Sequence, residues 1–398
     1  MSEFIEAYLS SCKACAVEER QLVIDAIPTG AKVLEGSKVE FVLDGSSLEL
    51  FGNRVTNSDL QAIASAVRVS GLAVEKLDLR YNHLDDHAIE SLLDILLHGQ
   101  LCHLDVTSNS FTSLGIQKIL SALETEPNSL THLVVNSNEL GPETGMYLAK
   151  LLRQNSKLQH IDFGGTEQNT DSLIAICSAM RENTTVRYLN FDNPRFFSHD
   201  DETTVHISNM IKDNNTLRGI SLAKHSITCR GAEILSDALL HNRSIKVVNL
   251  AQNDICVEGA QALSRVILSQ NNQLQSLDLR GNRVANDGAT ALGDGLEFSK
   301  CLAHLDLSHN EIRGPGLSAI ARGLSRNASI TSLKLWGNDF DLASSKLFYS
   351  LYTGRFTHHK VDLDFEPYIP SHRFSSARDG EVFEEKSYLE DIHIARNE

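Results

Sequence analysis

The chain has 398 residues, 41% of them hydrophobic but only 6% aromatic, and its 52 acidic and 36 basic side chains give a formal net charge of −16. An aliphatic core under an acidic surface excludes a general nucleic-acid binder, which needs a basic face to neutralise phosphates, and no apolar run approaches the ~18 residues of a membrane-spanning helix. Length alone suggests two or three domains of ~100 to 200 residues, an expectation that internal repetition overrides.

At the start, "MSEFIEAYLSSCKACAVEER" carries an acid at position 3 and no basic region ahead of its apolar residues, which makes it a poor secretory signal. Phe4, Ile5, Tyr8 and Leu9, then Leu22, Val23 and Ile27, form an amphipathic stretch, so residues 1–45 are predicted to be a helical cap on the first repeat. The single C-x-x-C, Cys12 to Cys15, has no second pair and no histidine at metal-ligand spacing, so it reads as two small residues on a helix. The seven cysteines are an odd number scattered through the chain, which predicts reduced thiols in a cytoplasmic or nuclear compartment.

From about residue 46 the pattern L-x-x-L-x-L-x-x-N-x-L takes over. Its ninth position falls at 53, 82, 109, 138, 166, 194, 225, 253, 282, 310 and 338, eleven times at spacings of 27 to 31 residues. "LQSLDLRGNRV", "LAHLDLSHNEI" and "ITSLKLWGNDF" keep every element. A second half follows each, as where Met146, Leu148, Leu151 and Leu152 approximate a helical stripe after a Gly-Pro turn. Each unit is therefore strand, turn, helix, turn. No unit can bury its leucines alone, so residues 46–358 are predicted to stack as an α/β horseshoe with a parallel concave sheet and convex helices. The ninth-position amide is predicted to bond backbone groups left free where the strand turns away.

Helices are predicted to end near Asn155, Asn183, Asn215, Asn242, Asn272 and Asn327, with asparagine tolerating a left-handed terminal turn. Four N-x-S/T sequons, at Asn183, Asn214, Asn242 and Asn327, read as turn chemistry and not as glycosylation sites. Near the end, "HKVDLDFEPYIP" reads as a last degenerate strand within a C-terminal segment, 359–398, whose polar, acidic residues 371–398 are predicted to be weakly ordered.

On these eleven periods, residues 46 to 358 resemble the ribonuclease-inhibitor-like class of leucine-rich repeat proteins, whose ~28-residue units carry a full helix. The resemblance implies protein binding through the concave sheet and its loops, with no catalytic residues to carry over. The chain is also similar in size and repeat number to the GTPase-activating protein of the small GTPase Ran. No motif here matches it for carrying over residues, and that likeness supplies the alternative of an enzyme regulator, either a GTPase activator or an inhibitor of a basic enzyme.

In this register the third, fifth and seventh positions face solvent on the sheet. Column three includes Lys76, His103, His132, His160, Tyr188 and His304; column five includes Asp78, Asp105, Asp162, Asp278, Asp306 and Lys334; column seven includes Arg80, Arg280 and Trp336. The H-x-D pairs are thus rungs of two ladders. Strands ~4.8 Å apart set His103, His132 and His160 too wide for a single ion without converging rotamers, so no metal is expected. An open sheet offers no closed pocket beside an acid/base couple, and no phosphate loop, G-x-S-x-G elbow or H-E-x-x-H motif occurs, so neither catalysis nor a cofactor is expected.

The candidate partner-binding residues are His103, Asp105, His132, His160, Asp162, Tyr188, Asp278, Arg280, His304, Asp306, Lys334 and Trp336, the only tryptophan. Thr166, Pro194 and His225 replace the asparagine in the irregular central repeats. There the 194–202 loop adds Phe196 and Phe197. The predicted function is a monomeric, non-enzymatic scaffold or adaptor for a protein partner with a basic surface. It is predicted to act inside the cell, in the cytoplasm, with nucleus, nucleolus and cilium as alternatives, and to bind neither nucleic acid nor membrane.

Overall fold

The computed structural model describes residues 2–27, 38–47, 54–125, 127–196, 201–269, 273–354, 356, 360–368 and 393–396. It divides into two compact units, Met1–Ser198 and His199–Glu398.

In the first unit, helices α1 (Ser2–Cys15) and α2 (Gln21–Asp25) precede strand β1 (Val39–Val42), and strands and helices then alternate. They are α3 (Asn57–Ser70), β2 (Val74–Asp78), α4 (Ile89–His98), β3 (His103–Asp105), α5 (Ser113–Thr125), β4 (His132–Val134), α6 (Gly141–Leu152), β5 (His160–Asp162), α7 (Thr170–Glu182) and β6 (Tyr188–Asn190). Neighbouring strands are parallel, and the register runs Lys76, His103, His132, His160, Tyr188. Phe4, Tyr8 and Cys12 bury one face of α1 against α3, and Phe4 meets Phe41 of β1 at 5.8 Å between ring centroids. Leu22 does not join that face; it is exposed.

The second unit continues with α8 (Glu202–Asp213), β7 (Gly219–Ser221), α9 (Cys229–His241), β8 (Val247–Asn249), α10 (Val257–Leu268), β9 (Ser276–Asp278) and α11 (Ala285–Phe298). It ends with β10 (His304–Asp306), α12 (Gly314–Arg326), β11 (Ser332–Lys334), α13 (Leu342–Thr353), β12 (Asp362–Leu363), β13 (Phe365–Tyr368) and β14 (His393–Arg396). Strands β7 to β12 follow sequence order in a parallel array, with the degenerate "VDLDF" segment supplying β12. Against the expectation for the tail, residues 393–396 pair antiparallel with β13; residues 371–392 lie outside the described residues.

The ninth-position asparagines have the predicted role. Asn138 is buried, donates from Nδ2 to Val106 O and Val135 O at 3.0 Å each, and accepts Phe111 N–H at 3.1 Å, so one amide ties two repeats. The residue before this position is left-handed from Tyr81 to Gly337, for example Ser108 (φ 53°), Ser137 (φ 54°) and Gln252 (φ 56°). That conformation, unfavourable for most side chains, turns the chain off the strand and puts the amide beneath it. Where Thr166 replaces asparagine, Gln168 two residues on donates to Gly141 O at 2.9 Å and Thr166 O at 3.1 Å.

Three sequence expectations need correction. Residues 1–45 are not helical throughout: β1 lies within them, where Glu40 pairs with Lys76 and Val42 with Asp78, ahead of the predicted start of the array. Val39, Phe41 and Leu43 supply the buried alternation, and Gly45 ends it where an added Cβ would lie 2.2 Å from Tyr81 O. The residues 48–53 lie outside the described ones.

Second, the helix-terminal asparagines are extended, with φ/ψ of −68/131° at Asn183, −81/124° at Asn214, −75/143° at Asn242 and −79/139° at Asn327. They act as side-chain bridges: Asn242 donates to Ile211 O of the preceding repeat at 2.7 Å and accepts Ser244 N–H and Ile245 N–H at 2.8 Å each. All four sequon asparagines are buried, which accounts for them as packing residues. Asn214, not Asn215, closes its helix, and Asn272 lies outside the described residues.

Third, the cysteines are not all free thiols. Cys229 and Cys256, at the starts of α9 and α10, are joined as a disulfide with Cα atoms 5.3 Å apart.

Candidate functional site

On the solvent face of the first unit, the third-position side chains form a continuous stack. His103 and His132 have ring centroids 5.1 Å apart at 24°, His132 and His160 5.4 Å apart at 19°, and His160 and Tyr188 5.8 Å apart at 35°. Parallel strands in register place one ring per rung, with the three histidines partly buried and Tyr188 exposed. Thr131 Oγ1 lies 2.9 Å from His132 Nδ1 and anchors the middle ring. Tyr188 ends the stack and is 43% exposed, so its face is open to a ligand.

Burial governs the stack's electrostatics. It pushes the His103 imidazole down to about 4, with His132 and Lys76 adding repulsion, and it lowers His132 and His160 below the ordinary value as well. At neutral pH the stack therefore presents neutral aromatic faces. At its other end Arg80 is held by Asp78 at 2.8 Å, Asp44 at 3.2 Å and Asp105 at 3.5 Å, and Lys76 lies 3.8 Å from Asp78. The H-x-D strand mates serve different ends: the rings stack, while Asp105 accepts the Thr107 N–H at 3.0 Å and Asp162 the Gly164 N–H at 2.9 Å.

That second pattern runs through both units. Asn190, Asn249, Asp278 and Asp306 accept the N–H two residues ahead at 2.7, 2.9, 2.9 and 2.9 Å. The recurrence of Asp and Asn in column five thus has a local cause, an Asx-type bond that fixes the turn leaving each strand. Burial raises the carboxyls of Asp105 and Asp278 above the usual range.

The remaining candidates belong to the second unit. His304, Lys334 and Arg280 are exposed, Asp278, Asp306 and Trp336 half-buried. The backbone N–H groups of Leu335 and Trp336 donate to Asp364 at 2.8 and 3.0 Å, and Ser308 Oγ donates to the same carboxylate at 3.3 Å. Asp364 escaped sequence reasoning, although it stands at the fifth position of the degenerate repeat. Phe196 is half-buried, and Phe197 lies outside the described residues. The one potential metal-binding group among the described residues is elsewhere: Cys229, Cys256 and Glu258. No described helix is long and apolar enough to cross a membrane.

Parallel three-residue strands alternating with helices, bound by an asparagine ladder, define an α/β leucine-rich repeat solenoid fold. The "Leucine Rich repeat" family model matches residues 126–149, 241–264, 270–293 and 298–321. Among known proteins, the chain is 26% identical over 251 residues to NACHT, LRR and PYD domains-containing protein 5 of Bos taurus, covering 63% of this chain and 23% of that protein. It is 22% identical over 283 residues to NACHT, LRR and PYD domains-containing protein 4E of Mus musculus, covering 68% and 29%. The matches thus span about a quarter of the length of these relatives. Among solved structures, leiomodin-1 actin-binding site 2 matches at 16% identity and a TM-score of 0.34, over 39% of this chain and 87% of that one. Leucine-rich repeat domains bind protein partners in general and are typically non-enzymatic.

Proposed function

We propose that the protein is a non-enzymatic interaction scaffold or adaptor that holds a protein partner against the solvent face of its sheet. The observation that carries this reading is the stack His103, His132, His160 and Tyr188: neutral, polarisable rings in register, open at Tyr188. Aromatic surface of this kind gains contact area at small entropic cost, and tyrosine is enriched where interfaces concentrate their energy. His304, Lys334 and Trp336 offer a second contact region in the other unit, with Phe196 and Phe197 contributing from the central loop. The charge of −16 favours a partner with a basic surface. Helices α3 to α13, of 10 to 14 residues, support the ribonuclease-inhibitor-like subtype. On the segment "VDLDFEPYI" we propose a relationship to leucine-rich-repeat-containing protein thirty-four, and we propose that the protein acts inside the cell, in the cytoplasm.

Proximity labelling in cells tests the proposal with Tyr188→Ala, His132→Ala and Trp336→Ala. The wild type should label a defined set of proteins, and at least one member should be lost in a sheet-face variant that folds normally. A set unchanged in all three variants would refute the assignment to this face.

A further inference from the structure

The helix starts of successive repeats are tied to each other by a series of side-chain contacts. Asn57 Nδ2 donates to Asp85 Oδ1 at 2.7 Å, Thr144 Oγ1 to Ser113 Oγ at 2.9 Å, and Thr228 Oγ1 to Asp201 Oδ2 at 2.8 Å. Between α9 and α10 the tie is covalent, Cys229 to Cys256.

Cys256 occupies the N-cap of α10, where Thr56, Asn169, Thr228 and Asp341 cap their helices through side-chain oxygens, and it makes no side-chain cap bond. The two helix starts come close because Gly259 has no side chain: a Cβ there would lie 2.9 Å from Ala232 Cβ and 3.4 Å from Cys229 O. Both sulfurs are half-buried, and the exposed Glu258 carboxylate lies 2.7 Å from Cys256 Sγ. The other five cysteines are free.

We propose that Cys229 and Cys256 form a reversible oxidation site, closed to a disulfide by a hydroperoxide and reopened by a low-molecular-weight dithiol. Cys229, in the first turn of a 13-residue helix, is the attacking thiolate, favoured by the helix's N-terminal dipole. Its sulfur attacks the peroxide; the O–O bond breaks, a sulfenic acid forms and the alcohol or water leaves. Cys256 sulfur then attacks Cys229 sulfur, the S–S bond forms and the S–O bond breaks. Glu258 takes the Cys256 thiol proton and returns it to the departing hydroxide, so the sum is two thiols and one hydroperoxide giving one disulfide, one alcohol or water from the peroxide, and one water. Closure converts a packing contact between neighbouring repeats into a bond.

The test treats reduced full-length protein with hydrogen peroxide, alkylates under denaturing conditions and maps peptides by mass spectrometry. Two of the seven thiols should become unavailable, a linked peptide should contain Cys229 and Cys256, and dithiothreitol should reverse both effects in the folded protein. Cys256→Ser should stall as a dimedone-reactive Cys229, and Glu258→Gln should close at least ~10-fold more slowly. The proposal is overturned if the exposed Cys301 is modified before any Cys229–Cys256 link appears. It is equally overturned if dithiothreitol leaves the link intact, or if Cys256→Ser closes the same number of thiols as the wild type.

Discussion

Replacing Asn138 with alanine removes one rung of the asparagine ladder and measures what holds adjacent repeats together. The side chain is 1% exposed and makes three buried contacts of 3.0, 3.0 and 3.1 Å, with Val106 O, Val135 O and Phe111 N–H, plus a longer one of 3.2 Å to Asn136 O. Val106 O keeps a bond from Asn109 Nδ2 at 3.0 Å, so two buried groups, Val135 O and the Phe111 N–H, lose theirs; at ~1 to 3 kcal/mol each, partly relieved by entering water, the loss should be about 3 kcal/mol. At ~1.4 kcal/mol per tenfold, the Phe111 amide should then exchange with solvent deuterium about 100-fold faster than in the wild type. The assay is native-state hydrogen exchange resolved to that amide, with a Gln154→Ala variant, at an exposed position, as the control. If Phe111 exchange in Asn138→Ala stays within about threefold of the wild type, the ladder is not what secures the stacking and the reasoning fails.

Acid should weaken the first unit. His103 takes up its proton at about 4 in the fold against 6.5 when unfolded, so its contribution is complete above the unfolded value and is lost as pH falls from 6.5 towards 4, with His132 and His160 acting in the same direction. Denaturation midpoints of wild type and His103→Gln across that range should diverge at pH 7 and converge near 4; parallel curves would contradict the assignment. Gly323→Ala brings a Cβ within 2.1 Å of Gly293 O, so overpacking of about 1 to 3 kcal/mol should outweigh the ~1 kcal/mol gain in helix propensity, and a raised melting temperature would show the helices yield freely. Asp364→Ala deprives the Leu335 and Trp336 amides of their acceptor and should red-shift tryptophan emission as the edge loosens; an unchanged spectrum would contradict this role.

The fold was legible because leucine and asparagine recur at fixed positions, and each residue type there has one physical use. Where type and partner separate, the sequence misleads. Asn183 and Asn242 are in their expected places, yet they donate to carbonyls of the preceding repeat, contacts about thirty residues away that no local rule reveals. The first strand was misplaced because its buried alternation, Val39, Phe41 and Leu43, lacks the leucines of the later repeats. The disulfide was hidden by an offset: Cys229 and Cys256 are 27 residues apart, so they occupy different columns of the repeat. At the candidate face, column three was placed correctly, but the stacking of its rings depends on rotamers. Column five keeps the predicted register, but Asp78 and Asp105 are buried instead of facing solvent, and its acids are explained first by turn geometry.

Photo-crosslinking separates the sheet face from the helical face of the first unit most directly. With p-benzoylphenylalanine at position 188, 43% exposed on the sheet, and in parallel at position 146, 51% exposed on α6, a protein adduct is expected from 188 and none from 146. An adduct from 146 alone, or equal yields from both positions, would contradict it.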